Sequence, residues 1–218
     1  MIVDVDEFEV ATPHGPARVA LEAPNLCFGL LVLGHGAGGG IEAPDLLAAR
    51  QAAGLFAVAR VLQPYRVARR KAPAPAAQLD ESWACVLAAL TDRFPDTPQI
   101  HGGRSSGARV ACRGAVSADP APVGVLTLAF PLLAPARRDG TRPDRGPEID
   151  AVDDAGIPVL AVSGENDRFG VPSPGKHRRV VTVRGDHSLK AKGLVRDAVA
   201  SWLDELVPER RRLSGRVD

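Results

Sequence analysis

Aromatic side chains are scarce: six Phe, two Trp and one Tyr make up 4% of the 218 residues. A core must therefore be built from Leu, Val and Ala, and the 45% hydrophobic content is ample for one. Cysteine is equally thin. Cys27, Cys85 and Cys112 are scattered, odd in number and without CxxC spacing, which argues against a disulfide framework and a zinc site. Buried free thiols in a reducing compartment are the expectation. Charge of one sign is missing too. The net charge is +1, so the balance gives no reason to expect a nucleic-acid partner. No apolar run reaches membrane-spanning length. The opening Met1–Glu7 is acidic and has neither a basic start nor an apolar h-region. The chain reads as soluble and cytoplasmic, with no membrane partner. Neither an internal repeat nor a shift in composition marks a boundary. One α/β domain is expected over 1–207, with a basic, polar, frayed tail at 208–218.

What is present is an alternation of apolar runs with helical stretches. Val3–Val10 and Ala17–Glu22 alternate apolar with polar around Thr12-Pro13-His14-Gly15-Pro16, which predicts an antiparallel hairpin at a sheet edge. Phe28–Leu33 is a continuous apolar run, as expected of a strand buried on both faces; Phe56–Leu62 is the next strand, Val123–Ala129 is apolar again and Val159–Ser163 is another buried-strand run. Ile100–Gly102 and Val180–Val183 are shorter strand candidates. Helices are predicted over Leu46–Ala53, Glu81–Arg93 with Asp80 as its cap, Ser106–Ser117 and Leu189–Leu206. Tyr65–Ala77 reads as a loop. Leu132–Ala155 is Pro-, Arg- and Asp-rich, with regular structure only near Ile149–Asp153. Such alternation predicts a mostly parallel twisted sheet with helices on both faces.

Gly103-Arg104-Ser105-Ser106-Gly107 lies between a strand and a helix. It matches G-x-S-x-G, the nucleophile-elbow pattern. A strand that turns at once into a helix crowds the residues two before and two after the turn, so Gly103 and Gly107 fit there. Centring the pattern on Ser106 would put Arg104 in a crowded place, so Ser105 is the candidate. Three other loops follow strands on the same reading: His35-Gly36-Ala37-Gly38, Gly164-Glu165-Asn166-Asp167 and Gly185-Asp186-His187-Ser188. Sites in open α/β sheets form beyond the carboxyl ends of the strands. A serine hydroxyl needs a base, which His187 can be, and the base needs an acid such as Asp167, with Glu165 a competitor and Asp186 a weaker one. An oxyanion needs two donors. The backbone N–H of Ser106 is one, and that of Ala37 is the best choice for the other, with Gly38 next. The order Ser, Asp, His is that of α/β-hydrolases.

The sequence resembles the α/β-hydrolase superfamily, in its small, lidless form. It is similar to dienelactone-hydrolase-like proteins. More closely, it resembles a group that includes a testis-expressed mammalian protein and a subunit of a chromatin acetyltransferase complex. The matching stretches are Leu33–Gly39, Pro64-Tyr65 with Arg69-Arg70 and Pro73, Gly103–Gly107, Phe130-Pro131-Leu132, Gly164 with Asp167, Phe169 and Gly170, and Gly185–Leu189. The resemblance implies an α/β-hydrolase fold without a cap domain, Ser105 as nucleophile, Asp167 as acid and His187 as base. It implies a serine hydrolase for a small-molecule acyl substrate, with no cofactor and no metal. Two departures stand out. The connection Asn166–Arg179, with Pro172, Pro174 and Gly175, lacks the helix usual there, and Ile100-His101-Gly102 is polar for a strand. A non-catalytic interaction module on the same scaffold is the alternative.

Other features take plainer readings. His35 shapes the Gly-rich loop rather than titrating, and His14, His101 and His177 are structural or exposed. Trp83 and Trp202 pack. The loop Arg66–Lys71 could meet an acidic substrate, but a solvated loop is the simpler reading, as for Arg210–Arg212. Gly34-x-Gly36-x-x-Gly39 mimics a dinucleotide fingerprint, yet the next strand ends Leu62-Gln63-Pro64 without the acid a ribose needs. Gly102–Gly107 mimics a P-loop, but Ala108-Arg109 stands where Lys-Ser/Thr is required.

Overall fold

The computed structural model describes residues 5–208. Of the expected tail, residues 209–218 lie outside the described residues. Among the described residues eight strands form one sheet: β1 Val5–Val10, β2 Ala17–Glu22, β3 Leu30–Gly34, β4 Ala57–Leu62, β5 Gln99–Arg104, β6 Gly124–Leu128, β7 Val159–Gly164 and β8 Arg178–Val183. Their spatial order is β1-β2-β4-β3-β5-β6-β7-β8. The pairs β1–β2 and β2–β4 are antiparallel and all others parallel. The hairpin therefore does sit at one edge. Gly15 closes it at φ 99°, and its N–H donates to the Thr12 carbonyl.

The helices are α1 Pro44–Ala53, α2 Pro64–Val67, α3 Ala76–Arg93, α4 Ser106–Ser117, α5 Gly146–Asp154 and α6 Lys192–Leu206. They cover both faces. In β3, Leu31 and Leu33 point into the cluster that holds α1 and α6, while Leu30 and Val32 point into the one that holds Trp83 and Leu87 of α3 and Val110 and Ala111 of α4. Period-two alternation thus sends every β3 side chain into a core, which is why the run is apolar throughout.

Several boundaries differ from the sequence reading for identifiable reasons. Helix α3 starts at Ala76, after Pro75, so Asp80 does not cap it. Instead its carboxylate accepts hydrogen bonds from Arg113 of α4 at 2.8 and 2.7 Å. The expected loop after β4 contains the turn of helix α2, for which Pro64 is preset at the first position. Strand β8 begins two residues early, at Arg178. That side chain is buried because it pairs with Asp150 at 2.7 Å and donates to the Ser173 carbonyl. Helix α6 starts late, at Lys192, because Leu189 takes φ 45° and is drawn fully into the core. Of the cysteines only Cys112 is fully buried; Cys27 and Cys85 are half-buried, and all three are free.

Leu132–Ala155 folds as one β-bridge, Leu133 to Asp144, followed by α5, and builds no cap domain. No helix among the described residues is long and apolar enough to cross a membrane.

Candidate active site

Strand β5 delivers Ser105 to the carboxyl edge of the sheet. Ser105 sits at φ 52°, ψ −107°, a conformation that L-residues avoid, and α4 starts at the next residue. The turn is held by the Ser105 N–H donating to the Leu128 carbonyl at 2.8 Å and by the Ser105 carbonyl accepting from Arg109 at 3.2 Å. The need for glycine on both sides is steric. A Cβ on Gly103 would stand 2.6 Å from the Gly34 carbonyl oxygen, and one on Gly107 only 2.3 Å from it. The elbow and the end of β3 are thus packed backbone to backbone.

Three loops meet above this turn. His187 Nε2 lies 2.9 Å from Ser105 Oγ, and His187 Nδ1 lies 2.7 Å from Asp167 Oδ2. The Asp167 side chain is fully buried, while that of His187 is 18% exposed, so the chain of groups is dry at one end and open at the other. Asp167 Oδ1 accepts the Phe169 N–H at 2.9 Å, which aims the second oxygen at the imidazole. Phe169 in turn packs edge-on against the His187 ring, with centroids 4.6 Å apart. Glu165 and Asp186 are both exposed. Asp186 is occupied locally, accepting from the Ser188 N–H and hydroxyl, and its pKa is held low mainly by that hydroxyl.

The missing helix between β7 and β8 does not spoil this geometry. A tight turn replaces it, with Asp167 N–H donating to the Gly164 carbonyl and Gly170 N–H to the Asp167 carbonyl. Farther along, Asp153 of α5 accepts the N–H groups of Lys176 and His177 and returns the chain to β8. Gly164 lets the acid and base loops touch: a Cβ there would be 2.3 Å from the Asp186 carbonyl oxygen.

Hydrogen bonds fix two peptide planes near the elbow. In a trans peptide the N–H points opposite to the carbonyl it shares a plane with. The Gly36 carbonyl is held by His35 Nδ1 at 2.7 Å and by the Gly39 N–H, which turns the Ala37 N–H away from them. The Ser105 carbonyl points into α4, so the Ser106 N–H points out of the helix start, where partial positive charge accumulates. His35 accepts the Gln63 N–H on Nε2, so Nδ1 carries the proton. Burial pushes its pKa down, and the nearby Arg66 pushes it the same way, against the bond to Gly36. It is a neutral strut in the loop, as expected. Tyr65 completes the loop by donating its hydroxyl to the Ala37 carbonyl at 2.7 Å.

The sequence reading missed Arg104, used there only to fix the register, and Asp45, which it never singled out. They form a close pair beneath the site, 2.8 Å apart. Nothing in a lone Asp near a helix start signals that role. Among the described residues no cluster of His, Cys, Asp and Glu could hold a metal.

A family model described as an alpha/beta hydrolase domain matches residues 29–209. No curated protein matches the chain. Among solved structures, Est1E from Butyrivibrio proteoclasticus is similar with a TM-score of 0.73 at 17% identity, covering 93% of this chain and 99% of that one. A dienelactone hydrolase from Anabaena variabilis gives 0.69 at 16%, covering 95% and 98%. An α/β serine hydrolase without a lid, from Xanthomonas campestris, gives 0.66 at 15%, covering 93% and 96%. At such identities the likeness is one of fold. With the family model spanning most of its length, this chain belongs to the α/β-hydrolase domain family.

Proposed function

We propose that the protein is a serine hydrolase that cleaves a carboxylic ester, thioester or related acyl bond through an acyl-enzyme on Ser105. The observation that carries this reading is the run of two hydrogen bonds, Asp167 to His187 to Ser105, assembled from three loops far apart in sequence. In the proposed reaction Ser105 Oγ attacks the substrate carbonyl carbon and His187 Nε2 takes its proton. Asp167 keeps the other ring proton on Nδ1 and stabilises the imidazolium that forms. The developing oxyanion is received by the N–H groups of Ala37 and Ser106. His187 then protonates the leaving group, and the bond from the carbonyl carbon to that group breaks. Water, deprotonated by the same imidazole, releases the acid and restores Ser105.

A panel of short esters and thioesters tests the reading. Wild type is expected to hydrolyse at least one, Ser105→Ala none above background, and Asp167→Asn with kcat lower by roughly ten-thousandfold. A folded wild type inert to the whole panel and to acylating probes would favour the non-catalytic interaction module instead.

A further inference from the structure

The elbow pattern leaves the position between Gly103 and Ser105 free, and this chain puts an arginine there. Arg104 ends β5, and its side chain runs under the site rather than out to solvent, with 20% of it exposed. Its guanidinium touches three segments. Nε lies 2.8 Å from Asp45 Oδ2 at the start of α1. Nη2 donates to the backbone carbonyl of His187 at 3.1 Å. Nη1 lies against Gly36 of the Gly-rich loop, where a Cβ would stand only 2.7 Å from it.

Asp45 holds this fork in place by charge. Its side chain is fully buried, and it also accepts the Leu46 N–H at 3.0 Å. Burial drives its carboxyl toward the protonated form, and the Arg104 charge opposes that. Each of the two charges is tolerated in the interior because of the other. A guanidinium is planar and rigid. Nε and Asp45 Oδ2 meet as an ion pair without an aligned hydrogen bond, so it is charge attraction that keeps the guanidinium between Asp45 and the carbonyl Nη2 holds. That carbonyl belongs to His187 itself.

We propose that Arg104, held by Asp45, is a positioning residue for the base: it holds the His187 backbone so that Nε2 stays within reach of Ser105 Oγ. The role rests on the hydrolase reading of the site. Lysine at 104 would keep the charge near Asp45 but could not span Asp45 and the His187 carbonyl together.

The test compares Arg104→Met, Arg104→Lys, Asp45→Asn and the double variant Arg104→Met/Asp45→Asn in the full chain. Two readouts are used: turnover of the best short ester, and the low-field proton resonance of His187 Nδ1–H, which needs no turnover. Arg104→Met and Arg104→Lys are both expected to lose roughly tenfold to a hundredfold in kcat, with KM within about twofold of wild type. Both should lose or broaden the His187 resonance below the unfolding temperature. Asp45→Asn should do the same through Arg104, and the double variant should be no worse than the worse single one. If the pair only stabilised the fold, unfolding temperatures would drop while kcat and the resonance held; that result overturns the proposal. Should Arg104→Met fail to fold, Arg104→Lys carries the same criteria. If wild type hydrolyses no ester and reacts with no acylating probe, the hydrolase reading fails, and the resonance still decides whether Arg104 sets the imidazole.

Discussion

His101 shows how a single residue sets a pH dependence. It sits on the central strand β5, 2% exposed, with its ring edge-on to Trp83. Nδ1 has no hydrogen-bond partner among the described residues. Burial alone drives the pKa down to about 4 from the ordinary 6.5. Between those two values the unfolded chain binds a proton that the folded chain refuses. Stability is therefore full above pH 6.5 and declines as pH falls toward 4, where the folded state protonates as well. Urea unfolding of wild type and His101→Gln at pH 7 and pH 5 should show wild type losing about 2 kcal/mol more than the variant between the two conditions. Equal losses would mean that His101 is not buried neutral. At this scale the sequence was readable where chemistry leaves a pattern. Gly103, Ser105 and Gly107 carry the elbow, and His187 follows a strand. It was not readable where a role depends on a distant partner. Asp45 and Arg104 are 59 positions apart in chain numbering and meet only because β3 and β5 pair in register, Gly34 against Gly103.

Helices α3, α4 and α5 lie side by side and are linked by charge as well as by apolar contact. Asp80 of α3 binds Arg113 of α4, which also approaches Glu148 of α5, while Arg109 forks onto Glu148 at 2.8 and 2.5 Å. These side chains are 19–31% exposed, so solvent screens the network in part. Arg113→Ala is expected to lower stability by on the order of 1 kcal/mol at low salt, and by less at high salt. Thermal unfolding at two ionic strengths measures this; a salt-independent loss would mean that the aliphatic stem of Arg113, not its charge, matters. The same network explains the misplaced start of α3. Asp80 before an amphipathic run looks like a cap, and only the presence of Arg113 across the helix pair gives it a different task. The buried strands were legible because both faces meet helices, which leaves no polar alternation to confuse the run. Strand β8 was legible only in part. Arg178 is admitted to the sheet by Asp150 and the Ser173 carbonyl, which no local pattern announces.

For the molecule as a whole, the sheet converts sequence order into spatial order. Strands β3, β5, β6, β7 and β8 run parallel, so every loop at their carboxyl ends arrives on one edge. That is why the loops carrying Ser105, Asp167 and His187, which hydrogen-bond in series, could be matched from chain order alone. The shape of the connections could not be. Whether a short, helix-free passage from β7 to β8 still aims Asp167 at His187 depends on Gly164 touching Asp186 and on Asp153 holding Lys176 and His177, contacts that arise only in the folded chain.

The most direct measurement is intact-mass analysis after reaction with a fluorophosphonate, followed by peptide mapping. The account predicts one phosphonyl group per chain, on Ser105, with none on Ser105→Ala. A folded wild-type protein that takes up no label, or that is labelled on another residue, would contradict it.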